Sequence, residues 1–289
     1  MTRDAVLDTY RYLRGGMAVM IVLLGAAILI ERLHATCWQT SISAYYFTSA
    51  HAVFIAALCA LGAMLIVYRG SSDTEDVLLN LAGILAFIVA MVPTSRPVLL
   101  CGGADLGIGS QSAIPNAWAV VIALAVSRAA SWWMYRHTGT GPSRSPLGTA
   151  ALWVQRALLA VGLVALAAFP AWFRTNAHGI AAVAMFASII ATVVITAFVA
   201  GNQDADKCPH RRRYQRVYQA ISWAMAVTLV VAVCLHQVLD GFNHAIIGVE
   251  TALIAEFAIY WLVQTIELWG TPTRATLIAA PDNRVLRAL

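Results

Sequence analysis

The chain has 289 residues, 60% of them hydrophobic and only 11% charged, with a formal net charge of +5. A soluble domain carries roughly 25% charged residues, so the composition excludes a soluble enzyme and makes this an integral membrane protein. The basic balance is a topology signal and gives no reason to expect nucleic acid.

A membrane-crossing helix needs about 20 mostly apolar residues. The chain offers candidate spans at 17–33, 50–68, 77–95, 115–135, 151–172, 178–200, 217–239 and 245–267. The runs are long and unbroken, which excludes a barrel of alternating strands. The expected fold is therefore all-α: one polytopic membrane domain over 1–289, a bundle of about eight spans. Arg3, Arg11, Arg14, Arg69, Arg136, Arg144, the run Lys207 to Arg216, and Arg274, Arg284 and Arg287 fall on the face that holds the N-terminus. Only Arg32, Arg96 and Arg174 fall on the other. Positive charge stays inside, so the topology is N-in and C-in.

In chain order, 3–14 is expected as a short amphipathic helix on the inner surface, with Val6, Leu7, Tyr10 and Leu13 on one side. The outer loop after the first span, T-C-W-Q-T-S-I-S-A-Y-Y-F-T-S-A-H, is aromatic and suits the headgroup level. Helix two is rich in small residues that permit close helix approach. In the inner turn R-G-S-S-D-T-E-D, Ser72 or Asp73 can cap helix three. That helix breaks at Pro93. The glycines of the next outer loop are irregular, and no strand precedes them, so they form no phosphate-binding fingerprint. Cys37 and Cys101 are the two cysteines on the oxidising side, in separate loops, which suggests a disulfide.

The inner loop R-H-T-G-T-G-P-S-R-S-P suggests two halves, 1–140 and 150–289. Helices two and six open alike, A-H-A-V-F-I-A-A and A-H-G-I-A-A-V-A, as a parallel repeat would. The basic inner loop D-A-D-K-C-P-H-R-R-R-Y-Q-R suits anionic headgroups.

Polar groups collect on the outer side. His34, His51, His178, His236 and His244 all fall at outer helix ends or in outer loops, whereas His137 and His210 lie inside. The connection H-Q-V-L-D-G-F-N-H-A-I-I-G-V-E places His236 and Asp240 four apart, on one helix face. His178 is expected in the first turn of helix six. Ionisable groups at a membrane boundary must be paired, hydrated or used. His51, His178, His236, Asp240, His244 and Glu250 are therefore the candidate ligand-binding set. Three chemistries fit. His178, His236 and His244 with a carboxylate suit zinc, whose open position would activate water. Histidines also relay or sense protons, or hydrogen-bond a lipid headgroup. Neither H-E-x-x-H nor a pair of Glu-x-x-His motifs is present.

Four motifs, S-I-S-A-Y-Y, A-M-V-P-T, H-G-I-A-A-V-A-M-F and E-F-A-I-Y-W-L-V-Q, together resemble uncharacterised bacterial multi-helix membrane families with a DRAM-like core. That resemblance implies a membrane bundle in a bacterial cytoplasmic membrane and no particular chemistry. In residue types and side of membrane the chain is also similar to the alkaline ceramidase and adiponectin receptor hydrolases. This second resemblance implies a zinc hydrolase built from Ser43, His51 and a late histidine pair. Here the position four after His236 is Asp240, and Ser43 and His51 stand eight apart. The expected function is binding of an amphiphilic or lipid-like ligand in a non-catalytic role. The alternatives are a metal-dependent hydrolase of such a ligand, or a transporter. Membrane lipids are the expected partners, with an oligomer or partner subunit left open.

Overall fold

Apolar runs of this length leave the backbone one solution in lipid, which is to satisfy its polar groups within each helix. The structure is a computed structural model that describes residues 3–97, 101, 109–139, 144–239 and 243–278. Its long helices are α1 (Arg3–His34), α2 (His51–Val67), α3 (Asp73–Met91), α4 (Ala113–Thr138), α5 (Pro146–Ala168), α6 (Pro170–Gly201), α7 (Arg211–Val238) and α8 (Ala245–Glu267). Seven are long and apolar enough to cross a membrane, and the 17-residue α2 is the shorter eighth. The chain is an all-α bundle of about eight spans.

Two boundaries differ from the sequence reading. The segment 3–14 is the first part of α1 and not a separate surface helix, because Arg11 and Arg14 anchor it to the chain that follows α8. Helix six starts at Pro170, with Phe169 alone separating it from α5. Proline lacks the N–H that continues a helix, yet its fixed φ suits the first position of a new one. His178 therefore stands more than two turns into α6.

The helices α1, α2, α3, α6, α7 and α8 pack in that order into a ring, with α8 returning to α1. The pair α4 and α5 lies outside it, against α3 and α6. Packing thus groups the helices three, two and three, and the midpoint between 1–140 and 150–289 falls within the outlying pair. Lipid offers no hydrophobic drive for helix association, so close approach must supply it. At the α2–α3 crossing, a Cβ on Gly62 would meet the Gly83 carbonyl oxygen at 2.8 Å, and one on Gly83 would meet that of Gly62 at 2.5 Å. The backbones touch only because both side chains are hydrogen. Inside the ring, Met17, Leu65, Ala86, Ile189, Met225 and Phe257 belong to one buried cluster. Val22, Ile30, Trp153, Val161 and Val230 are exposed on the outside, where acyl chains would surround them.

The inner end is closed by the residues after α8. Arg14 donates to the carbonyls of Leu268 (3.0 Å) and Pro272 and to the Tyr68 hydroxyl (3.1 Å). Gln264 donates to the same hydroxyl at 2.8 Å. Arg274 donates through Nε to both Glu267 oxygens at 3.1 Å, and Tyr218 and Gln203 also donate to that carboxylate, at 2.6 and 2.8 Å. The Arg274 backbone N–H reaches the Ser71 hydroxyl at 3.1 Å. One step further, Glu75 accepts from the Ser71 N–H (2.5 Å) and the Thr196 hydroxyl (2.9 Å). Ser72 caps α3, accepting from the Glu75 N–H. The turn between α2 and α3, the end of α8 and the tail form one hydrogen-bonded plug.

Candidate functional site

At the outer end, the α1–α2 connection is tied down first. Cys37 and Cys101 form a disulfide with Cα atoms 5.1 Å apart, and the Thr36 N–H donates to the Cys101 carbonyl at 2.9 Å. The connection then makes a 3-10 turn, Ser43–Phe47, whose aromatic side chains are buried. Its entry is fixed by short hydrogen bonds. The Ser41 hydroxyl accepts from the Ala44 N–H at 3.1 Å, and the Glu250 carboxyl, arriving from α8, accepts from the Ile42 N–H at 2.6 Å.

Ser43 is thereby held opposite His178 of α6, which is only 6% exposed. The His178 Nδ1 lies 2.7 Å from the Val92 carbonyl oxygen, and its Nε2 lies 2.8 Å from the Ser43 Oγ. A carbonyl can only accept, so Nδ1 carries the proton, and in the neutral ring Nε2 presents a lone pair. The Ser43 hydroxyl therefore donates to His178. Val92 is open to this contact because it caps α3 in an extended conformation, which the following Pro93 favours.

Beneath this pair, at the centre of the ring, lies a cavity of about 100 Å³. Ile42, Ser43 and Glu250 line its outer end, and Leu24, Phe54, Leu61, Ala86, Met185 and Phe257 are among its walls. Ser43 and Glu250 are its polar lining, and both stand at the outer end. Beside the site, Phe47, Thr94, Arg96, Arg174 and Thr175 border an open outer pocket of about 470 Å³.

The remaining predicted residues are distributed differently. His51 turns its Nδ1 to the Tyr46 carbonyl at 2.5 Å and packs edge-on against the Tyr46 ring. His236 is exposed, and its Nδ1 donates to the Ala232 carbonyl of its own helix at 2.9 Å. It still lies within electrostatic range of His178 and Glu250. His244 is exposed at the N-cap of α8. Asp240 falls outside the described residues.

His178, His236 and His244 are not brought together in the described structure. Among the described residues, no three His, Cys, Asp or Glu side chains could share an ion. Both ring nitrogens of His178 already have partners, and the early start of α6 carries it inward while His236 and His244 remain at helix ends. Ser43 entered the sequence reading only through a family resemblance, and the Val92 carbonyl not at all. Pro93 was the available signal for the latter, since the residue before a proline is driven out of the helical region and its carbonyl leaves the helix ladder. Comparison with protein-family models, curated proteins and solved structures finds no match. The geometry stands on its own.

Proposed function

We propose that the protein binds an amphiphile, with the apolar chain in the chamber inside the ring and the polar end at Ser43 and Glu250. The observation that carries this reading is the chamber itself, apolar along its walls and polar at one end. An apolar cavity in a protein stays dry and accepts apolar guests. At about 100 Å³ it is well below the roughly 300–1,000 Å³ of ordinary ligand pockets, so it suits a narrow chain better than a ring system. Met185 in its wall is flexible enough to widen it.

A transporter has less support. Below Ser43 and Glu250, the walls of the chamber are apolar. An ion or polar solute would find few partners on that route.

The test is lipid analysis of the purified protein beside an Ala182→Phe variant, which places a phenyl ring in the chamber wall. Wild type should carry or take up a long-chain amphiphile, as detected by native mass spectrometry. The variant should retain at least tenfold less at an unchanged melting temperature. Equal retention by a folded variant would remove the chamber from the binding site.

A further inference from the structure

We propose that Ser43 is an acyl-accepting nucleophile and His178 its general base, so that the protein hydrolyses an ester whose acyl chain lies in the chamber. This rests on the amphiphile-binding reading and adds a reaction to it.

Four observations carry the proposal. The first is reach, since a serine nucleophile and its base must stand within hydrogen-bond distance, about 2.6–3.2 Å. Ser43 Oγ and His178 Nε2 are 2.8 Å apart. The second is protonation. Because Nδ1–H is committed to the Val92 carbonyl, the nitrogen facing Ser43 is the one able to take its proton. Orientation of the base by a third group is the logic of serine triads, here with a backbone carbonyl in the place of a carboxylate. A carbonyl dipole aimed at Nδ1 also favours the positive charge that appears when Nε2 is protonated.

Third, Ser43 differs from the helix hydroxyls that bond their own backbone. Ser188, Thr192, Thr251 and Thr265 each donate to a carbonyl four residues back on their own helix, the usual way to hide a hydroxyl in an apolar helix. Ser43 instead donates across the bundle to a nitrogen base. Fourth, Ser43 lines the chamber, so a guest whose chain fills it brings its first carbonyl to the serine.

The reaction balances with water as the only co-reactant. Ser43 Oγ bonds to the ester carbonyl carbon as its proton passes to His178 Nε2. That proton then moves to the departing alkoxide oxygen, the ester C–O bond breaks, and the alcohol leaves an acyl-Ser43. Water from the outer face gives a proton to Nε2 while its oxygen bonds to the acyl carbon. The Ser43–acyl bond breaks, Nε2 returns the proton to Oγ, and a carboxylic acid is released. His178 is a catalytic residue because it exchanges the reacting proton. Glu250, bound to the Ile42 N–H, holds the backbone beside the nucleophile.

The experiment uses the full chain in detergent and a long-chain alkyl fluorophosphonate, followed by intact mass and peptide mapping. Wild type should gain one adduct, on the peptide that contains Ser43. Ser43→Ala should gain none, and His178→Gln should label at least about 100-fold more slowly, as loss of a general base predicts. Both variants should keep the wild-type melting temperature, a readout that a merely structural role for His178 would disturb. No adduct on wild type, or an undiminished adduct on Ser43→Ala, overturns the nucleophile. Should His178→Gln fail to fold, wild type against Ser43→Ala still decides. Amphiphile retained without an adduct sinks the reaction alone. Wild type and Ala182→Phe retaining amphiphile equally sinks the binding reading.

Discussion

The two ends of the ring handle buried polar groups in opposite ways. At the inner end, Arg14 and Arg274 have no exposed surface, and their partners crowd around them: Tyr68, Tyr218, Glu267 and the carbonyls of the tail. Burial alone would pull the Arg274 guanidinium down. The Glu267 carboxylate reverses that and holds it above its ordinary value. At the outer end, two polar groups border the chamber. The Ser43 hydroxyl bonds His178, the Glu250 carboxylate bonds the Ile42 N–H, and both residues line the chamber. A dense network resists change, and polar groups at a void can meet a ligand. On this comparison the bonded network lies inside and the proposed binding site outside.

The strongest way to break the comparison is Glu267→Ala. Removing one partner of a buried ion pair leaves an uncompensated charge, at a cost of about 3–5 kcal/mol. Arg274 would lose its carboxylate, and Tyr218 and Gln203 would lose their acceptor. Equilibrium unfolding in detergent should show that loss, accompanied by release of the tail to proteolysis. A cost under about 1 kcal/mol would mean that the plug is an ornament of the fold and that the contrast between the ends is false.

Why the sequence displayed one end and concealed the other has a physical explanation. Apolar runs announce spans, since lipid tolerates little else, and two outward cysteines among five leave few pairings. Glu267 and Arg274, by contrast, look like ordinary charges at a membrane boundary. Whether such groups are hydrated or bonded depends on a tail that folds back, and periodicity does not report that. The histidines are a separate case. Five at outer helix ends suggested one cluster, but their depth depends on helix starts, and Pro170 moved His178 inward alone. Ser43 lay hidden in an aromatic loop whose turn takes its shape from tertiary contacts, above all the Glu250 to Ile42 bond.

The disulfide sharpens the outer half of the comparison. Cys37 and Cys101 close a loop across 64 residues, for which chain entropy gives about 4 kcal/mol. Inserted helices already restrain the loop ends, so Cys101→Ser should cost less, about 2 kcal/mol. Its particular effect should be on the site. With the α1–α2 connection loosened, labelling of Ser43 should fall more steeply than overall stability, whereas the plug, at the far end, should keep its protection from proteolysis. Parallel loss at both ends would show that they are not separable.

The smallest effect belongs to His236→Ala, and it divides a single working histidine from a histidine cluster. His236 is exposed and donates to a carbonyl of its own helix. Exposed substitutions away from buried networks usually stay within about 0.5 kcal/mol, and the unfolding free energy should move no more than that. Its only reach into the site is through charge, toward His178 and Glu250. Surface charge is screened by salt over roughly 10 Å at 0.1 M. If His236 matters only in this way, His236→Ala should change Ser43 labelling by less than about threefold, and the change should shrink as salt is raised. A salt-independent loss approaching that of His178→Gln would mean that His236 touches the reacting groups directly. The outer end would then be the cluster that the sequence suggested, in a geometry other than the one described.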